Sequence, residues 1–235
     1  MPTQPPQQAP PVQRLRIRYA KRGRLRFTSH RDFSRAFERA VVRAGVPMAY
    51  SSGFNPHPRI SYAGAAPTGA ASEAEYLEIG LARTVAPATV LAELAAAMPP
   101  GLDVLDVVES PGGALADLLQ ASRWQVELTL PPEPVATAVA TFLAQESVPV
   151  SRMTRKGLRE FDCRAAVLSL TVHPHGAGTR LVLVLRHTDP MVRPDDVLTG
   201  LERLAGLAPP APPLLTRLAQ GRWDAGREQV TDPLA

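Results

Sequence analysis

In the stretch RLRIRYA, Leu15, Ile17 and Tyr19 alternate with Arg14, Arg16 and Arg18. A period of two predicts a half-buried strand with its cations on one face. KRGR supplies a turn, and LRFTS is expected to continue the strand beyond it. The period then lengthens. In RDFSRAFERAVVRAG, residues Phe33, Ala36, Phe37, Ala40, Val41 and Ala44 share one face of a helix beginning near His30. Thr28 or Ser29 can cap its start, and Gly45 ends it. RISYA and SEAEYLEIGLA read as two strands joined by the small-residue loop GAAPTGAA. Pro87 opens a second helix, PATVLAELAAAM, and GLDVLDVVES reads as a closing strand.

After a connector with room for one short helix, SPGGALADLLQAS, a similar order begins again. The strand RWQVELTL and the helix PPEPVATAVATFLAQE lead into strands within 148–155, 161–172 and 180–187. RPDDVLTGLERLAGL then reads as a helix and PPLLTRLAQGRW as a strand. Each half has the order β-α-β-β-α-β, the second with an extra strand or hairpin. The expected fold is α+β, built of tandem ferredoxin-like sandwiches. Expected boundaries are a disordered arm at 1–13, a first domain at 14–110, a linker at 111–121, a second domain at 122–222 and a flexible tail at 223–235.

Composition narrows the function classes. The chain has 235 residues, of which 45% are hydrophobic, as in ordinary globular proteins. No apolar run approaches the roughly 18 residues of a membrane span. MPTQPPQQAPPVQ lacks the pattern of a secretory signal and reads as a solvated Pro/Gln arm. Cys163 is the only cysteine, which excludes an intramolecular disulfide and any cluster held by several cysteines of this chain. These features predict a cytoplasmic protein with no membrane contact.

The net charge is only +4, so its distribution matters more than its total. Residues 14–43 hold eleven cations, Arg14, Arg16, Arg18, Lys21, Arg22, Arg24, Arg26, Arg31, Arg35, Arg39 and Arg43, against Asp32 and Glu38 alone. Arg31, Arg35, Arg39 and Arg43 recur every four residues along the predicted helix. Like charges at that spacing cost an isolated helix about 0.2–0.5 kcal/mol per pair, a cost that a bound anion offsets. A phosphate-binding surface is the functional expectation, and a solvated face with arginines drawn to Glu38 is the alternative. A second basic cluster, SRMTRKGLREFDCR, contributes Arg155 and Lys156 as further nucleic-acid contacts.

The segment YSSGFNPHPRISYA carries the most distinctive chemistry. Pro56 and Pro58 bias Asn55 and His57 towards extended backbone, giving a stiff loop that loses little entropy on docking. Asn55, His57 and Arg59 are expected to reach outward. Phe54 is expected to anchor the loop to the core, with stacking on an unpaired base as the alternative. His30 and His57 are weak candidates for an acid–base pair. His173 and His175 read as a strand-end turn rather than a metal site, Glu73 and Glu75 as partners for arginine, and Cys163 as a small buried hydrophobe.

Several of these segments together resemble the radical-SAM-linked domain family of unknown function. The resemblance rests on Arg26, Phe27, Ser29 and His30, on Glu38-Arg39-Ala40, on GFNPHPRIS, and on Gly69, Ser72, Glu73, Glu75 and Tyr76. EFDCR and the long strand after it are similar to that family's second half. The resemblance implies a radical SAM protein as partner. Without a CxxxCxxC sequence, the chain is expected to carry no cofactor itself. The expected function is a non-catalytic RNA-binding adaptor acting on tRNA or rRNA with that partner. The alternatives are a metal-independent RNA endonuclease using His30 and His57, by analogy with CRISPR repeat-RNA endonucleases, and a protein-docking module that touches no RNA.

Overall fold

The computed structural model describes residues 7–154 and 157–235. The chain divides into two units, one reaching to Leu118 and the other running from Leu119 to Pro233. Both are α+β.

In the first unit the alternating segment forms β1 (Gln13–Lys21). Helix α1 (His30–Arg43) is followed by β2 (Ile60–Ala63) and β3 (Ala71–Leu81), then by α2 (Pro87–Ala97) and β4 (Val104–Glu109). β1 lies between β4 and β3, with β2 on the far side of β3, and every pairing is antiparallel. The strand register places Leu15 and Ile17 opposite Ile79 and Leu77. These residues are wholly buried together with Phe37 and Leu94 from the two helices, so one sheet face and two helical stripes make a single core.

LRFTS does not extend β1. Gly23–Phe27 is a 3₁₀ turn, begun by Gly23 at φ +55°. That left-handed conformation is readily available to glycine and bends the chain out of the sheet.

The cations of β1 do not face solvent as one basic surface. Arg16 is 2% exposed, and its Nε donates to Glu78 at 3.2 Å while its Nη2 donates to the carbonyls of Gly112 and Gly113. Arg14 reaches the other oxygen of Glu78 at 3.1 Å, and the Ser110 hydroxyl donates to Glu78 at 2.7 Å. Arg18 pairs with Asp106 at 2.6 Å, and Arg22 is clamped between Glu73 and Asp103. The hydrogen bonds that Arg22 donates to Glu73 hold its guanidinium firmly protonated against the opposing effect of its desolvation. The alternation was legible in the sequence, but the acids that meet it come from β3, β4 and the loop before β4.

In the second unit β5 (Ala121–Leu128) leads to α3 (Pro132–Leu143). A separate hairpin of β6 (Pro149–Thr154) and β7 (Gly157–Asp162) comes next. β8 (Val167–His175), β9 (Gly178–Arg186), α4 (Pro194–Ala205) and β10 (Leu214–Gly221) complete the unit's main elements. The sheet order here is β10-β5-β9-β8, again antiparallel throughout. The β6–β7 hairpin is the extra element of the second half. Arg152 ties it to the start of α4 by an ion pair with Asp196. Cys163 is fully buried, and desolvation, with Asp162 and Asp196 nearby, pushes its thiol up to about 12. It packs beside Phe142 and Val148 against Gly200, where an added Cβ would lie 3.0–3.1 Å from all three side chains.

The segment read as a tail carries a short hairpin, β11 (Trp223–Asp224) with β12 (Gln229–Val230). Among the described residues, no helix is long and apolar enough to cross a membrane.

The buried Glu78 cluster has a measurable signature. Burial alone would raise this carboxyl, but hydrogen bonds from Ser110, Arg14 and Arg16 outweigh it and hold Glu78 below its ordinary value of 4.5. The unfolded chain therefore takes up this proton more readily than the folded one. The stabilisation is complete above about pH 4.5 and is lost as pH falls through the lowered native value. Glu78→Gln strands Arg16 without its counter-charge and should cost about 3 kcal/mol at neutral pH. Urea melts of both proteins from neutral to acid pH should converge as the acid limb is reached; parallel curves would contradict the assignment.

Candidate nucleic-acid interface

Helix α1 begins because Ser29 is extended and its hydroxyl accepts from the Asp32 backbone N–H at 3.2 Å. Its buried stripe is Phe33, Phe37, Ala40 and Val41, with the Phe33 ring stacked on Tyr19 at 4.1 Å. This seating fixes which way the charged stripe points. Arg31, Arg35, Arg39 and Arg43 are all exposed. Arg43 donates to the carbonyl of Ala97, which ties the end of α1 to the end of α2. Among the described residues, Arg31, Arg35 and Arg39 make no ion pair or side-chain hydrogen bond, and Glu38 takes up none of them. The strand cations are spent on the fold, whereas these three are not.

The proline-containing loop is closed on itself. The Ser51 N–H donates to the His57 carbonyl at 2.9 Å, and the His57 N–H donates to the Ser51 hydroxyl at 3.0 Å. Gly53, at φ +126°, allows the reversal between them. At the base, Arg59 donates its N–H to Ala49 and its Nε to the Tyr50 carbonyl at 3.1 Å. Gly80 of β3 permits this close approach, since a Cβ there would lie 2.7 Å from Pro11 and 3.3 Å from Arg59. Part of the N-terminal arm also docks here, with the Gln8 N–H donating to the Ser52 hydroxyl at 2.8 Å.

Phe54 does not anchor the loop. It is 73% exposed, and Asn55, Pro56 and His57 are exposed with it. Backbone and serine hydrogen bonds already close the loop, and Ile60 and Tyr62 supply the apolar contacts at its exit. Phe27 is a second aromatic at the surface. It is 59% exposed with the Arg26 guanidinium 4.6 Å above its ring, a consequence of the 3₁₀ turn that a strand reading would miss.

His30 and His57 are not joined by any ring contact or hydrogen bond among the described residues. His30 instead meets the edge of Tyr62 at 4.8 Å, and Tyr62 also meets Phe33 edge-on at 6.1 Å. Burial raises the Tyr62 phenol, Ser34 opposes that rise in part, and the charge of Glu38 adds a smaller rise. The ring thus links the start of α1 to the strand that leaves the loop.

The second basic cluster is partly committed. Arg152 is paired with Asp196, Arg164 donates to the carbonyls of Val167 and Leu143, and Arg159 lies 3.9 Å from Asp189. Arg155 and Lys156 lie outside the described residues. Glu73 pairs with Arg22 rather than with the helix stripe, and Glu75 accepts from the Ala66 N–H. His173 contacts Thr171, and His175 contacts Arg180. No group of three or more His, Cys, Asp or Glu side chains suited to a metal occurs among the described residues.

A family model described as "Uncharacterized protein conserved in bacteria (DUF2344)" matches residues 14–194. The chain belongs to this family. The matched DUF2344 region runs from β1 to the first residue of α4 and includes α1 and the proline-containing loop. A search of curated proteins found no match. Among solved structures, the chain is similar to one titled "Crystal Structure of an Unknown Protein from Galdieria sulphuraria". The identity is 14%, with 82% of this chain and 91% of that one covered, at a TM-score of 0.25.

Ser51 is the latch of the loop. Ser51→Ala removes the acceptor for the His57 N–H and should weaken closure by about 1 kcal/mol. Amide hydrogen exchange at His57 should then quicken roughly fivefold while core amides of β1 and β3 keep their protection. Unchanged exchange at His57 would show that the loop is held by other means.

Proposed function

We propose that this protein is a non-catalytic RNA-binding adaptor that works with a radical SAM partner on tRNA or rRNA. The supporting observation is the division of the first unit's arginines. Those of β1 are consumed by carboxylates, whereas Arg31, Arg35 and Arg39 stand exposed on α1 without partners among the described residues. Three guanidiniums at one-turn spacing suit the phosphates of a nucleic-acid backbone, which arginine meets with a planar fork of donors.

The exposed loop adds a second kind of contact. Phe54 offers a face on which an unpaired base stacks, and Asn55 and His57 offer hydrogen-bonding groups beside it. Phe27, with Arg26 over its ring, is a second aromatic of the same kind. A stiff, self-closed loop loses little freedom when it docks.

The finer reading of the fold fits this role. The first unit's β-α-β-β-α-β order and its sheet order β4-β1-β3-β2 support reading it as a ferredoxin-like sandwich, and the order in the second unit supports the same reading with the β6–β7 hairpin inserted. Sequence resemblance supplies the radical SAM partner, and the single cysteine leaves any iron–sulfur chemistry to that partner.

Binding of a single-stranded RNA and of a transfer RNA across a salt series tests the reading. Arg35→Ala/Arg39→Ala should shallow the slope of log affinity against log salt by roughly 1.4 for the single strand. Phe54→Ala should weaken binding by about 1–3 kcal/mol with the slope unchanged. An unaltered slope and affinity in the double-arginine variant would remove the proposal.

A further inference from the structure

Strand alternation divides the second unit's sheet into two unlike faces. Trp124, Val126, Leu181 and Leu183 point to one side and are at most 4% exposed. The other side carries a row that crosses four strands: Ala219 pairs with Arg123, Arg123 with Val184, and Val184 with Ser169. One step along, Val182 pairs with Thr171, and His173 follows on β8. The β11–β12 hairpin forms a wall beside these rows through Arg227, Glu228, Gln229 and Val230. The half-open cavity has a volume of about 520 Å³, within the range of roughly 300–1,000 Å³ usual for small-ligand sites.

Its lining is chemically sorted. Val182, Val184 and Ala219 give an apolar floor. Ser169 and Thr171 add hydroxyls, and Thr171 Oγ1 lies 2.9 Å from His173 Nε2. Arg123 has no ion pair among the described residues, and Arg227 Nε is 3.9 Å from Asp224. Against these two guanidiniums the lining holds one carboxylate, Glu228. The balance favours an anion. The number of donors suits the three terminal oxygens of a phosphate better than the two of a carboxylate, and the floor suits an organic body attached to it.

We propose that this cavity binds a small phosphomonoester, its phosphate held by Arg123 and Arg227 with the hydroxyls of Ser169 and Thr171, and its organic portion lying on Val182, Val184 and Ala219. The site lies within the second unit, and its assignment does not rest on RNA binding at α1.

Isothermal titration of the full chain with 5′-AMP tests the assignment, with inorganic phosphate as competitor. Saturable one-to-one binding is expected, displaced by phosphate and weakened at least tenfold by Arg123→Gln. Arg35→Ala/Arg39→Ala should bind 5′-AMP as the wild type does. Thr171→Val removes a donor from the next row and decides by the same criterion if thermal melting shows that Arg123→Gln is unfolded. Absence of saturable binding would overturn the proposal. So would binding that phosphate does not displace, binding unaffected by the folded cavity variant, or binding lost in the helix variant.

Discussion

A guanidinium taken out of water demands a carboxylate and further hydrogen-bond acceptors, and the first unit supplies both to Arg16. Glu78 on the neighbouring strand supplies the charge and accepts from Nε, and the carbonyls of Gly112 and Gly113 accept from Nη2. Arg14 and Ser110 also donate to Glu78. Removing one member leaves another buried and uncompensated, a far larger cost than the pair's own net contribution. The cluster therefore constrains which strands lie side by side, and it uses up the charge of β1.

That expenditure separates two populations of arginine within one short stretch of chain. On β1 the cations complete the fold. On α1 the same residue type sits opposite a stripe of Phe33, Phe37, Ala40 and Val41, so packing of the apolar side holds the charged side in water. Like charges repeated every four residues slightly oppose the helix. Tertiary burial overrides that local penalty and leaves the stripe exposed to any anion that arrives. The self-closed loop, with Phe54 outward, follows the same logic: its stability comes from its own hydrogen bonds, leaving the aromatic ring uncommitted.

Periodicity made much of this visible in the sequence. Alternation in RLRIRYA gives β1, the Phe33–Phe37–Ala40–Val41 spacing gives the buried side of α1, and Ser29 marks the helix start. What stayed hidden were facts about partners distant in sequence. Nothing near Arg16 shows that a glutamate 62 positions later will pair with it. Phe27 sits in a segment whose apolar spacing fits a strand, and only the left-handed Gly23 turns it outward. Phe54 carries the same hydrophobicity whether buried or exposed, and the decisive Ser51–His57 closure is a tertiary fact. The cavity of the second unit was equally illegible. Arg123, Ser169 and Ala219 meet only through strand register, and the closing hairpin lies in a segment without apolar periodicity.

The central claim is that the arginine side of α1 and the outward loop meet RNA, while the β1 cations do not. Photocrosslinking of a 4-thiouridine-containing transfer RNA to the intact protein, with the adducts mapped by mass spectrometry, tests it most directly. Adducts should concentrate on peptides carrying Phe27, Phe54 and residues 31–43. Adducts confined to the second unit, or none above a denatured control, would contradict it.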